Sequence, residues 1–143
     1  MSDQANAQSP VELIRLKDTD LTVVAAEEDI RRRTVVDKGG EEIGKVDTLL
    51  IDSGEQKVRF VEISEGGFLG IGDHKVLIPV DAISKVDEKH VYIDQSRKQV
   101  GESPRYDPDI ATKADWGGLY GYYGYSPYWT AGYMYPAFPY YGR

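Results

Sequence analysis

The sequence predicts an all-β domain, a small antiparallel barrel or sandwich of five or six strands, carrying an irregular C-terminal tail. Three observations support this. From Thr34 to Ile93, short apolar or alternating runs are separated by clusters of Gly, Asp, Ser and Pro. No stretch holds a helical period for more than about two turns. The 143 residues are one domain's length, yet 12 of the 16 Phe, Trp and Tyr residues lie in the last 28 positions, outside that series of strands.

Taken in order, Ser9, Pro10 and Glu12 fit an N-cap, a first-turn proline and a capping-box acid, which predicts a short helix or helical turn over 10–16. Leu21-Thr22-Val23-Val24 is β-prone and is followed by Glu27-Glu28-Asp29, as a short edge strand would be. Thr34-Val35-Val36 enters the turn Asp37-Lys38-Gly39-Gly40 and returns as Glu41 to Val46, forming a hairpin that Leu49-Leu50-Ile51 extends. After Asp52-Ser53-Gly54-Glu55-Gln56, the stretch 57–63 alternates charged and apolar residues except at Phe60-Val61. It reads as a half-buried strand with a bulge or a change of face. A glycine-rich loop over 65–73 precedes the apolar strand Lys75 to Pro79. A bend at Val80-Asp81-Ala82 then leads to Ile83-Ser84-Lys85-Val86, a polar turn, and Val91-Tyr92-Ile93. Ile43, Val46, Leu50, Val61, Phe68, Val76, Ile78, Ile83 and Ile93 are the expected core.

Charge and composition divide the chain into an acidic extension (1–28), a packed domain (29–101), and a linker with an aromatic low-complexity tail (102–143). Their net charges of −4, −2 and −1 add to the chain's −7. An acidic chain repels phosphate backbones, which argues against nucleic acid as a partner. The absence of cysteine removes disulfides and thiolate chemistry. The first residues lack a basic-then-apolar secretory pattern and no run suits a membrane span, so a cytoplasmic protein is expected.

No catalytic, cofactor or metal site is expected. Gly70-Ile71-Gly72 precedes a strand-like run stopped by Pro79, not the helix that a dinucleotide fingerprint requires. His74 and His90 sit in polar turns without further ligands at metal-binding spacing. Adjacent acids such as Glu41-Glu42 point to opposite sides of an extended chain, as a solvated face would have them. Arg31, Arg32 and Arg33 form the one basic cluster. Glu27, Glu28 and Asp29 offset it within a Debye length of about 8 Å, which favours internal pairing or a short docking patch.

The tail contains nine of the eleven tyrosines, and between Gly117 and its end only Arg143 is charged. Its glycines and prolines argue against a regular helix, while its aromatic density argues against a solvating linker. The readings open to it are wrapping the barrel, homo-oligomer contact, an aromatic sticker, and base stacking. The last lacks the cationic groove it normally uses. Peripheral membrane contact would be weak, because anionic lipid repels the acidic body. Contact with protein is the preferred reading, through Trp116, Tyr120, Tyr125, Trp129 and Tyr133 together with the arginine triplet.

The ordered series Asp29-Ile30-Arg31, Val35-Val36-Asp37, Gly40 to Val46, Leu50-Ile51-Asp52, Gly66 to Gly72 and Val76-Leu77-Ile78-Pro79-Val80 resembles the PRC-barrel domain over about residues 29–98. That family takes its name from the photosynthetic reaction-centre H subunit and includes the C-terminal domain of the ribosome maturation factor RimM. The resemblance implies a small β-barrel acting as a non-enzymatic adaptor for protein partners. Arg32 stands where relatives often carry glycine. The alternatives are a ribosome or RNA maturation accessory that binds a ribosomal protein, and a soluble relative of the H subunit.

Overall fold

Asp37 shows how the turns are made. Its Oδ1 accepts the backbone N–H groups of Gly39 at 2.9 Å and Glu41 at 2.8 Å, and Gly40 takes the left-handed φ of +89° that the reversal requires. The computed structural model describes residues 13–15, 30–55, 57–64, 75–107 and 110–136. The expected edge strand at 21–24, the glycine-rich loop with Phe68, His74, and residues 137–143 lie outside them.

The Asp37 turn joins β2 (Thr34–Val36) to the long β3 (Glu42–Asp52). β4 (Val58–Ser64) and β5 (Val76–Pro79) follow as antiparallel neighbours, and a single 3₁₀ turn at Val80–Ala82 leads into β6 (Ile83–Val86) and β7 (His90–Ile93). The spatial order is β5-β4-β3-β2-β7-β6. One pair departs from the expected antiparallel pattern. β2 and β7 run parallel, with Thr34 beside His90 and Val36 beside Tyr92, because the β6–β7 hairpin returns to β2 in the same direction. No ladder joins β5 to β6 among the described residues, so the sheet is barrel-like but not closed, and the 3₁₀ turn makes the corner.

The N-terminal helix expected over 10–16 is corrected at its described residues. Leu13–Arg15 form a strand, β1, paired antiparallel with Leu50 to Asp52 on the part of β3 that β2 leaves unpaired. A lone helical turn has little stability in water, whereas an open strand edge offers ladder hydrogen bonds at once. The Arg15 guanidinium also donates to both carboxylate oxygens of Glu62 at 3.1–3.2 Å.

The eight expected core residues that are described are all buried, along with Ile30, Val35, Leu49, Phe60, Ile63 and Val91; the ninth, Phe68, lies outside the described residues. β4 departs from expectation in a useful way. A bulge is present, since Leu50 faces Phe60 and Ile51 faces Val58, leaving Arg59 as the extra residue. The strand is nevertheless buried on both sides, Arg59 and Glu62 included. No helix among the described residues is long and apolar enough to cross a membrane.

Candidate functional site

What covers Arg59 is the C-terminal segment. After the short helix α1 (Arg97–Gly101), α2 occupies Lys113–Tyr123, inside the tail expected to be irregular. Its start is fixed by a capping box: Asp115 N–H donates to the Thr112 hydroxyl at 3.2 Å, and Thr112 N–H donates to the Asp115 carboxylate at 3.0 Å. Gly124 ends it at φ +86°. Trp116, Leu119, Tyr120 and Tyr123 are spaced i, i+3, i+4, i+7, and all four are buried. Burial of this one face outweighs the low helix propensity of Gly117, Gly118 and Gly121. The Phe60 ring is the seat, with centroids 5.2 Å from Trp116 and 4.9 Å from Tyr120.

Beyond Gly124 the chain folds back across the barrel, tied by tyrosine hydroxyls. Tyr133 donates to Asp81 Oδ2 at 2.8 Å, Tyr135 to the Val58 carbonyl at 3.0 Å, and Tyr125 to Asp94. From α2 itself, Tyr122 donates to the Gln99 carbonyl at 2.6 Å. The Tyr128 ring lies 4.0 Å from the Arg59 guanidinium carbon and the Tyr135 ring 5.3 Å from it, while the Lys113 ammonium stands 5.2 Å from the Trp129 ring. Trp129 meets Tyr120 and Tyr128 edge-on, at 6.1 and 5.2 Å.

The electrostatics under this cover are internally matched. Arg59 donates to Asp52 Oδ2 at 2.7 Å with both side chains buried, and also to Glu55. Burial disfavours its charge, but the hydrogen bond and charge of Asp52 outweigh that and hold its pKa above the ordinary value. Asp81 is pushed above the usual carboxylate range by burial, which the hydrogen bond from Tyr133 offsets only in part. Burial, with the nearby hydroxyls and acids, raises Tyr120 and Tyr133, and raises Tyr128 to about 12, so these phenols stay neutral at physiological pH. The Tyr120 hydroxyl and Asp81 Oδ1 are buried without hydrogen-bond partners among the described residues.

Trp116, Tyr120, Trp129 and Tyr133 therefore converge on one seat around Phe60 and Asp81. Trp116 and Tyr120 are wholly core, whereas Tyr125, Trp129 and Tyr133 keep part of their surface in solvent beside the 85 % exposed Met134. Arg31, Arg32 and Arg33 lie elsewhere, in the turn before β2, where Arg32 N–H donates to the Val46 carbonyl at 2.7 Å and Arg33 Nη1 to the Asp87 carbonyl at 2.8 Å. Sequence reasoning missed Arg59, Asp52 and Asp81. The only hint was the broken alternation at Phe60-Val61. No group of three or more residues able to hold a metal ion occurs among the described residues.

A family model described as PRC-barrel domain matches residues 25–100. No curated protein matches the chain.

Proposed function

The chain belongs to the PRC-barrel family, and from that premise we propose that it is a non-enzymatic adaptor whose barrel, with the C-terminal segment docked on it, presents one surface to protein partners or to a second copy. The observation that carries this is the half-exposed aromatic band of Tyr125, Tyr128, Trp129, Tyr133 and Tyr135. Its rings are held by hydroxyl contacts to Asp94, Asp81 and Val58 and by the Arg59 guanidinium, with Met134 exposed at its margin. Anchored aromatics with exposed edges supply contact area at small entropic cost, which is why Tyr, Trp and Met are enriched in interfaces. A mobile aromatic tail would lose that freedom on binding; this band has already lost it on folding.

The test is light-scattering molar mass and partner capture for the full chain against Trp129→Ala/Met134→Ala. An assembly or captured partner lost in a variant that melts as the native chain does supports the reading. A native chain that is monomeric and retains no protein refutes it.

A further inference from the structure

The fold adds to the arginine triplet what the sequence scatters. Thr34 of β2 lies opposite Lys45 on β3 and beside His90 on β7, so these three side chains share one face of the sheet. Two positions along, Tyr92 lies opposite Lys85 of β6 on that same face, with the Lys85 ammonium 5.1 Å from the Tyr92 ring and the His90 ring 5.7 Å from it. The turn that carries Arg31, Arg32 and Arg33 closes onto this end of the sheet. Val46 N–H donates to the Arg33 carbonyl at 3.0 Å and Thr34 N–H to the Lys89 carbonyl at 2.9 Å. Arg32, Lys45, Lys85 and Lys89 are exposed.

In sequence, Glu27, Glu28 and Asp29 offset the triplet, and the three lysines, one from β3 and two from the β6–β7 hairpin, are the fold's addition. Glu88 remains exposed among them. The Asp87 carboxylate also stays charged there, its oxygens taken up by the backbone N–H groups of Lys89 and His90, the His90 ring and the Tyr92 hydroxyl. On the β2–β3 turn side the patch ends at Glu41 and Glu42, Glu41 being paired with Arg97 at 3.6 Å.

We infer that this end of the sheet docks a short, carboxylate-rich segment of a protein partner, an inference that deepens the adaptor reading and rests on it. Charge complementarity selects the occupant, and size selects its kind. Four strands at about 4.8 Å spacing give roughly 14 Å, the reach of about four extended residues. A short acidic peptide lies wholly within that width. A nucleic-acid strand would run past it onto a body whose total charge is −7. The lysines steer and orient the segment, while the tilted His90–Tyr92 ring pair offers apolar surface between them.

The test measures anisotropy of a labelled tetraglutamate peptide with the full chain at low salt and at 0.3 M salt. Saturable binding that falls at least tenfold with salt, and at least tenfold in Lys45→Glu/Lys85→Glu/Lys89→Glu, is the expected result. Should that variant melt early, Lys45→Gln/Lys89→Gln removes charge without adding repulsion and is expected to weaken binding about threefold. The inference is overturned by no saturable binding to the native chain, by binding that folded variants keep undiminished, or by an octauridylate bound more tightly through the same lysines. A protein partner retained equally by native and charge-reversed chains overturns it while leaving the adaptor reading intact.

Discussion

Arg32 is the one non-glycine residue at positive φ among the described residues, at +74°. Its N–H bond to Val46 fixes the turn into β2 in the left-handed region, which costs a residue with a Cβ about 1–2 kcal/mol. Arg32→Gly removes that strain but adds chain entropy to the unfolded state, so denaturant unfolding should show a gain of about 0.5–1 kcal/mol. Two tyrosine hydroxyls of the seat differ in one decisive way. Tyr120 OH has no partner among the described residues, so Tyr120→Phe should leave stability unchanged or improved. Tyr133→Phe strips a hydrogen bond from a carboxylate and should cost about 1–3 kcal/mol. Two aspartates give opposite pH signatures. The turn donors around Asp87 prevail over its burial and hold it at about 2, so its stabilisation is complete above the unfolded carboxylate range and disappears as pH falls towards 2. Burial raises Asp81, so its charged form opposes folding at neutral pH and protonation relieves that as pH falls through its folded value. A melting series from pH 7 to pH 2 should therefore lose less in mild acid for the native chain than for Asp81→Asn.

At the level of elements, α2 is a helix chosen by its seat rather than by its composition. Three glycines in eleven residues weaken it, and the Trp116-Leu119-Tyr120-Tyr123 face repays them only because Phe60 and the β5 side of the sheet lie beneath. A Cβ at Gly121 would meet nothing within 4 Å among the described residues. Gly121→Ala should accordingly raise stability by about 1 kcal/mol in chemical denaturation, an outcome that a helix seated through glycine contact would not give. The i, i+3, i+4, i+7 spacing was present in the sequence, but glycine content and low complexity concealed it. β1 and β4 went the other way. Propensity at Ser9-Pro10 favoured a helix, and alternation along 57–63 favoured one wet face. In both cases a neighbouring edge or cover supplied by residues distant in the chain decided the outcome: β3 for Leu13–Arg15, and Tyr128 with Tyr135 for Arg59.

For the whole molecule, the C-terminal segment is part of the folded unit, since Trp116, Leu119, Tyr120 and Tyr123 belong to the same core as β2 to β7. Stopping the chain at Tyr106 exposes Phe60 and removes the rings over Arg59, leaving a buried-type ion pair open on one side. Loss of even one such aromatic costs about 3–5 kcal/mol, so the truncated chain should melt far below the full chain or fail to fold, as circular dichroism would report. The strand series, the turns at Asp37 and Asp52, eight core positions and the family were determined by the sequence alone. Those features depend on local pattern, meaning where apolar side chains alternate and where glycine or aspartate lets the backbone reverse. Only the tertiary structure decided that β2 and β7 run parallel, that Arg59 and Glu62 are buried with partners from opposite ends of the chain, that the first part of the aromatic tail becomes a helix, and that lysines of β3 and of the β6–β7 hairpin join the arginine triplet. Each of these rests on contacts between residues far apart in sequence, whose energies exceed local preference but leave no local mark.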